Sequence, residues 1–230
     1  MKKIFVLFFA YLLFISIFAE NKEIVVPQTD PSIKILYTIP DSDLQKNQNI
    51  FEIKPTPELK IDGIFDEQIK THPLVIMDTK SNIISKIYFS YNNNGLYLFA
   101  DVIDKSPGLN KNIKENINNG DSIELFFEFG RVYHIGIRAT EKKELWNWTL
   151  QSNIDRDNTF FKKTENGYII ECQIPWHNFM VGCLCSLRNK ELNFNVIINN
   201  RTWNNKIIKY KLCWKDEEKE KEGCEKIVFR

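Results

Sequence analysis

The chain has almost no excess of positive over negative charge, and this balance argues against partners that bind through net charge. Its 230 residues carry 31 lysines and arginines against 30 aspartates and glutamates, a formal net charge of +1. A protein that is drawn to nucleic acid or to an anionic membrane surface by its overall charge needs a marked basic excess. We therefore expect neither nucleic acid nor anionic lipid as a partner.

The sequence also lacks the short motifs that place catalytic groups. It contains no Gly-x-Ser-x-Gly elbow, no phosphate-binding loop and no His-Glu-x-x-His pair. Asp121 and Glu124 are a carboxylate pair of the type used in glycoside hydrolysis, but their spacing on one strand directs them to opposite faces of a sheet. They cannot flank one glycosidic bond there. We predict a binding protein and not an enzyme.

Long apolar runs are absent except at the N-terminus. Met1-Lys2-Lys3 is followed by the 16 apolar or small residues from Ile4 to Ala19 and then by a polar stretch from Glu20. This order is typical of a secretory signal peptide that is cleaved after Ala19. The alternative is an uncleaved anchor, although the run is shorter than the ~20 residues of a spanning helix. We expect an exported protein (periplasm, outer surface or extracellular) with a signal peptide at 1–19 and no membrane span after cleavage.

Helical periodicity is nearly absent, and apolar and polar residues alternate along most of the chain. About ten short strands with tight turns are predicted, among them a hairpin of Lys86–Tyr91 and Leu96–Ile103 that turns at Asn92-Asn93-Asn94-Gly95. This pattern predicts an all-β protein, an antiparallel β-sandwich of jelly-roll or immunoglobulin-like architecture. We expect one domain at 55–230, preceded by a lead-in at 20–54 that can add an edge strand.

Five cysteines leave at least one thiol unpaired. Cys172 falls on the apolar side of a strand, where a small hydrophobic residue packs well. Cys213 and Cys224 flank the charged run 215–222 and can close it as a loop, whereas Cys183 and Cys185 are too close to pair readily with each other. A zinc site is the alternative interpretation, and its ligands would be Cys183, Cys185, Cys213 and His177, although their spacing matches no usual zinc motif.

The alternation predicts two distinct faces for the strand at 122–129 and the strand that follows it. Ile123, Leu125, Phe127 and Phe129 point to the core together with Tyr133, Ile135 and Ile137 of the next strand. The outer face then carries Glu124, Phe126, Glu128, His134 and Arg138. Charged groups suit sugar hydroxyls and an aromatic ring suits the apolar face of a pyranose, so we predict an open sugar-binding face here. The alternative is a solvated sheet face with cross-strand ion pairs.

Tryptophans supply further candidate stacking surfaces. Trp146 and Trp148 lie two residues apart in a predicted strand and would project from one face as a platform, although core packing is an equally ordinary role. Trp203 stands in a polar loop without apolar neighbours, so we expect it to be exposed. Trp176 and Trp214 adjoin apolar strands and are expected in the core.

Five segments in the same order resemble the family 9 carbohydrate-binding modules, from about Pro57 to the C-terminus. They are Leu59-Lys-Ile-Asp-Gly-Ile-Phe-Asp-Glu67, Gly95-Leu-Tyr-Leu-Phe-Ala-Asp-Val-Ile-Asp104, Gly120-Asp-Ser-Ile-Glu-Leu-Phe-Phe127, Gly167-Tyr-Ile-Ile-Glu-Cys-Gln-Ile-Pro-Trp176 and Asn193-Phe-Asn-Val-Ile-Ile-Asn199. The resemblance implies a non-catalytic sandwich, often calcium-stabilised, that binds sugar chain ends. It implies sugar-contacting roles for Glu124, more loosely for Arg138, and for Asn199. Oxygen-rich candidates for calcium are Asp62/Asp66/Glu67 and Asp101/Asp104.

The chain departs from the family at the two tryptophans that sandwich the sugar in well-known members. Asn118 occupies one of these places, and the charged run 215–222, which has no aromatic residue, occupies the other. The main alternative function is therefore an envelope structural or protein-interaction sandwich that has lost sugar binding. A haem-binding sandwich is a third possibility, for which Met77, Met180, His72, His134 and His177 supply ligand atoms without a recognisable motif.

Overall fold

The computed structural model describes residues 34–38, 50–78, 80, 82–155, 157–179, 187–212 and 225–230, and at 34–38, 129 and 225 it describes the backbone. Cys183, Cys185, Cys213, Cys224, Met180, Trp214, the signal segment and the charged run lie outside these residues. In the described part of the chain, no helix is long and apolar enough to span a membrane.

Strands make up most of the described residues. They are β1 Lys34–Thr38, β2 Phe51–Pro55, β3 Leu74–Met77, β4 Ile83–Tyr91, β5 Gly95–Ile103, β6 Ser122–Phe129, β7 Arg131–Arg138, β8 Leu145–Asn147, β9 Ser152–Ile154, β10 Thr159–Lys163, β11 Gly167–Pro175, β12 Glu191–Arg201, β13 Lys206–Lys211 and β14 Glu225–Phe229. Two 3-10 helices, Lys114–Asn119 and Trp176–Phe179, lie between strands. The prediction of an all-β protein is confirmed.

The strands follow the order β10-β11-β5-β4-β2-β14-β12-β6-β7-β8-β9, with β3 beside β4, β13 beside β12 and β1 beside β13. Most neighbours are antiparallel, as predicted, but β1–β13, β2–β14 and β2–β4 are parallel. The sheet is therefore mixed, which alternation within single strands could not reveal, because the direction of a neighbouring strand depends on long-range pairing.

The predicted β4–β5 hairpin is confirmed, and its turn residues act as expected. The side-chain oxygen Asn92 Oδ1 accepts hydrogen bonds from the backbone N–H groups of Asn94 (2.8 Å) and Gly95 (3.2 Å). This is the local bonding through which Asn favours turns. Two short strands, β3 and β9, were not predicted from the sequence. They have only four and three residues, too few to display a clear alternation.

The curled sheet encloses one main core, and its two halves face each other as in a sandwich. Phe89 of β4 contacts Phe194 of β12 edge to face, with 5.4 Å between ring centroids, and Phe194 also contacts Phe127 of β6 at 4.8 Å. Six predicted core residues of β6 and β7 lie in this cluster, namely Ile123, Leu125, Phe127, Tyr133, Ile135 and Ile137, and the side chain of Phe129 lies outside the described part of the structure. Trp176 and the free thiol of Cys172 also lie in the core, as predicted.

The segment before β3 closes the outer face of β4, β5 and β11. The Gly63 N–H and the Tyr97 hydroxyl both donate hydrogen bonds to the buried Glu171 carboxylate, and burial raises the pKa of this carboxyl. The Phe65 ring packs on Tyr88, with 4.5 Å between ring centroids. The part of this face around Glu171 and Tyr88 is therefore covered by the chain itself.

Candidate functional site

Glu124 lies on the face of β6 that points away from the main core, as predicted, but its side chain is only 2 % exposed. His134 Nε2 lies 2.7 Å from Glu124 Oε2, and Asn199 Nδ2 donates to Glu124 Oε1 at 2.8 Å. Burial alone would raise the pKa of Glu124, but the His134 hydrogen bond, the Lys209 charge and the Asn199 amide outweigh it and lower the pKa to about 2. Glu124 is therefore a buried, ionised carboxylate with partners from β7 and β12.

Three rings stack beside this carboxylate. The His134 ring lies between Phe126 and Trp148, with centroid distances of 4.2 Å and 3.9 Å and interplanar angles of 18° and 17°. The stack fixes the orientation of the imidazole that holds Glu124. The alternation in the sequence predicts that His134 and Glu124 share one face, but not that they pair. Their contact depends on the direction of the His134 side chain, which the ring stack sets.

Arg138 does not pair with Glu124 across the strands. Its Nε and Nη2 donate to the backbone carbonyl oxygen of Asn110 at 3.2 Å and 2.6 Å, and its Nη1 lies 3.4 Å from Glu144 Oε2. The side chain is 4 % exposed. Glu124 and Arg138, the two charged residues predicted to contact a sugar, therefore have separate sets of intramolecular partners.

The prediction that this sheet face is open is wrong. Residues 104–121 cover the part of the face that β7 and β8 form. Trp148 Nε1 donates to the Glu115 carbonyl at 3.0 Å. Ile117 of the 3-10 helix forms a small cluster with Trp146 and Trp148. A Cβ added at Gly136 would lie 2.5 Å from the Trp148 ring and 2.7 Å from Ile117, so the absence of a side chain there permits the close approach. Trp146, Trp148 and Phe126 are all buried, so they form no open platform.

Trp203 is the predicted aromatic residue that the structure leaves open, at 74 % exposure, in the turn between β12 and β13. This turn contacts residues 104–121: Arg201 N–H donates to Asp121 Oδ1 at 2.6 Å, and Ser106 Oγ donates to the Arg201 carbonyl at 2.8 Å. Asn199 is fully buried in β12, two residues before the strand ends at Arg201. Of the predicted site residues, the structure joins Glu124, Phe126, Asn199, Trp146 and Trp148 in or beside one buried layer and leaves Trp203 outside it.

A pocket of about 470 Å³ lies where this segment meets the β7–β8 turn and β10, and we call it the basic pocket. Its lining includes Lys111, Arg138, Lys142, Lys163, Glu141 and Phe161. Only Arg138 was predicted from the sequence. The other residues come from the loop before the 3-10 helix, from the β7–β8 turn and from β10, so no local motif could have indicated them.

A calcium site was tested against the donor chemistry of the described residues, which contain no group of three or more His, Cys, Asp or Glu suited to a metal. In the predicted cluster Asp62/Asp66/Glu67, Asp62 pairs with Lys60 at 3.1 Å and Asp66 accepts the Gln68 N–H at 2.8 Å. These two carboxylates therefore already have partners from neighbouring residues. Of the second predicted cluster, Asp101 is exposed on β5, while the buried Asp104 interacts with Asp121, whose oxygens also accept the Leu109 and Arg201 N–H groups at 2.6 Å each. Burial, and secondarily the charge of Asp104, raises the pKa of Asp121 to about 7. Asp104 Oδ2 and Asn200 Oδ1 are buried without hydrogen-bond partners among the described residues. Carboxylate and amide oxygens are the ligands that Ca²⁺ prefers.

Comparison with known proteins gives one family and several related folds. Residues 60–223 match the family model described as carbohydrate family 9 binding domain-like. A carbohydrate binding module family 9 from Caldicellulosiruptor kristjanssonii in complex with cellotriose superposes with a TM-score of 0.58 at 13 % identity, over 79 % of this chain and 94 % of that one. The module from the same organism in complex with glucose gives 0.53 at 15 % identity, over 78 % and 95 %. No curated protein matches the chain. At these identities, the solved structures establish a shared fold.

Proposed function

The chain belongs to the carbohydrate family 9 binding domain-like family, and on that basis we propose that it is an exported, non-catalytic carbohydrate-binding protein. The observation that carries this proposal is the continuous family match over residues 60–223, which spans both halves of the sandwich and every candidate site residue. The solved relatives bound to glucose and cellotriose support a saccharide as the ligand.

We propose that the saccharide binds at the end of the sandwich formed by residues 104–121. On one side of this segment, Trp203 offers an exposed ring that can stack on the apolar face of a pyranose. The same segment also lines the basic pocket, whose volume falls within the ~300–1,000 Å³ range of small-molecule sites. Glu124, Asn199, Phe126, Trp146 and Trp148 form the buried support that holds the segment, and Arg138 joins this support to the pocket.

Calorimetric titration with glucose, cellotriose and a broader panel of oligosaccharides tests the proposal. Trp203→Ala should weaken binding about 5- to 150-fold, the effect of losing one aromatic stacking contact of ~1–3 kcal/mol, while Trp203→Phe should retain most of the affinity. Ile64, an apolar residue that is 69 % exposed on a different loop, provides the control Ile64→Ala, which should bind like the wild type. Equal affinity for all four proteins would place the ligand away from Trp203.

A second candidate function is supported by the filled polar face. Glu124, Arg138 and Trp148 all have intramolecular partners, as they would in a sandwich that serves as an envelope structural or protein-interaction module. The absence of binding across the whole saccharide panel would favour this function.

Export is tested separately by mass spectrometry. The secreted or periplasmic protein should be a chain that starts at or near Glu20, and recovery of only the full-length chain in membranes would contradict export.

A further inference from the structure

The basic pocket concentrates positive charge in a chain that is nearly neutral overall. Lys111, Lys142 and Lys163 line it together with Arg138, whereas Glu141 is the one carboxylate in the lining. All three lysines are exposed. Bringing like charges together from three separate segments is electrostatically unfavourable, so it contributes nothing to folding stability.

These lysines have no counterions among the described residues. Lysines elsewhere do find partners: Lys60 pairs with Asp62 at 3.1 Å, and Lys226 donates to the Asn193 side chain. Near the pocket, Glu144 is already engaged, because it accepts the Lys114 N–H at 2.8 Å and faces Arg138 at 3.4 Å. The positive charge of the pocket is therefore available to a ligand.

The pocket is built on fixed groups. Arg138 is held by the Asn110 carbonyl, so its charge is buried in the lining and cannot swing away. The Lys163 side chain lies against Gly108, where an added Cβ would come within 2.7 Å of Lys163 Cε. Phe161 adds an apolar surface, and the hydroxyl of Thr140, another lining residue, is buried without a partner among the described residues. A ligand that combines a negative charge, an apolar face and hydroxyls matches this lining.

We propose that the basic pocket binds the carboxylate or sulfate group of an acidic oligosaccharide, so that the protein selects acidic over neutral saccharides. This inference rests on the proposed carbohydrate-binding function and specifies its ligand class. Lys111, Lys142 and Lys163 contact the anionic group, while Arg138, whose charge is paired with Glu144, holds the Asn110 carbonyl beneath them.

Calorimetry on the full chain tests the inference with four probes: a trimer of galacturonic acid, a sulfated trisaccharide, neutral cellotriose and polyglutamate. The acidic trisaccharides should bind about tenfold or more tightly than cellotriose, and their affinity should fall with added salt, because the pocket is open to solvent. Comparison of the galacturonic acid trimer with the sulfated trisaccharide shows whether the pocket binds a carboxylate or a sulfate group. Polyglutamate supplies charge without sugar and should bind weakly.

The variant K111Q/K142Q/K163Q should lose about tenfold or more in affinity for the acidic trisaccharide, as expected for three solvent-exposed contacts, and should keep its affinity for cellotriose. The control K70Q/K86Q/K162Q removes the same charge from exposed lysines outside the pocket and should bind like the wild type. Single substitutions preserve the test if the triple variant fails to fold.

Two results would overturn the inference while leaving the proposed function intact: equal affinity for neutral and acidic trisaccharides, or unchanged acidic affinity in the pocket variant. Polyglutamate binding as tight as that of the uronate trimer would also overturn it, because the pocket would then recognise charge alone. A chain that binds no saccharide of either kind would contradict the proposed function itself.

Discussion

At the scale of single residues, Glu124 holds a charge inside the protein, with only 2 % of the residue exposed. Its carboxylate is ionised inside the protein because His134, Lys209 and Asn199 surround it. A buried charge with good partners contributes modestly to stability, but the loss of one partner leaves an uncompensated charge and is costly. Substitutions at Glu124 therefore act on stability as well as on any binding.

The pH dependence of stability follows from Glu124. Its pKa falls from 4.5 in the unfolded chain to about 2 in the folded one, so its contribution is present above about pH 4.5 and is lost as the pH falls toward 2. The contribution is on the order of 3 kcal/mol. Urea unfolding between pH 2 and pH 6 should show this loss in the wild type and not in Glu124→Gln.

Glu128→Gln provides the matched control, since Glu128 lies on the same face of β6 and accepts a hydrogen bond from Asn193 Nδ2 at 2.7 Å. This variant should keep the acid-dependent loss of stability. A wild-type-like pH profile in Glu124→Gln would mean that another carboxyl group is responsible.

At the scale of elements, the segment 104–121 determines which residues of the site are accessible. The alternation of β6 and β7 correctly predicted which side chains leave the core, because that depends only on the period of a strand. It could not predict that residues 104–121 cover this face. Ile117 and Glu115 contact Trp148, and β6 and β7 lie between these residues in the sequence. Trp203 was predicted to be exposed because its own neighbours are polar, a property that is local. The residues that line the basic pocket come from separate segments of the chain, so no local sequence motif predicts it.

The same segment carries the calcium prediction. If Asp104 and Asp121 bind Ca²⁺ with Asn200, the ion relieves the repulsion between two buried carboxylates. Calcium at about 100 times its Kd should raise the Tm by roughly 5–10 °C relative to a chelator, and magnesium should raise it less. Differential scanning fluorimetry measures both shifts.

Asp104→Asn should abolish the calcium-dependent gain, whereas Asp101→Asn, at an exposed position of β5, should retain it. Comparison with and without calcium within each variant separates the metal effect from any change in baseline stability. An equal gain in Asp104→Asn would exclude this residue as a ligand.

At the scale of the whole molecule, β14 joins the two halves of the sandwich. It pairs with β12 in antiparallel fashion and with β2 in parallel fashion, and Ile227, Val228 and Phe229 are almost fully buried. The sequence predicted a strand here, but not its position between β2 and β12. Few sequence patterns report parallel pairing of strands some 170 residues apart, because neither strand carries a local sign of its partner.

Phe229→Ala should therefore lower the free energy of unfolding by about 3–5 kcal/mol, the usual cost of truncating a buried aromatic side chain. Arg230→Ala removes only a surface pair with Glu52 at 3.1 Å and should cost less than about 1 kcal/mol. Chemical denaturation of the two variants measures the difference. Similar small losses in both would contradict the central position of β14.

The position of β14 also has a consequence for how this chain is made. Synthesis is vectorial, so β2 emerges from the ribosome early and β14 only after almost all the other strands. The link between β2 and β12 cannot form until that moment, and the nascent chain must wait with the edges of both strands unpaired. Such edges are prone to association with other chains. Folding of this topology is therefore expected to be completed only once β14 has emerged.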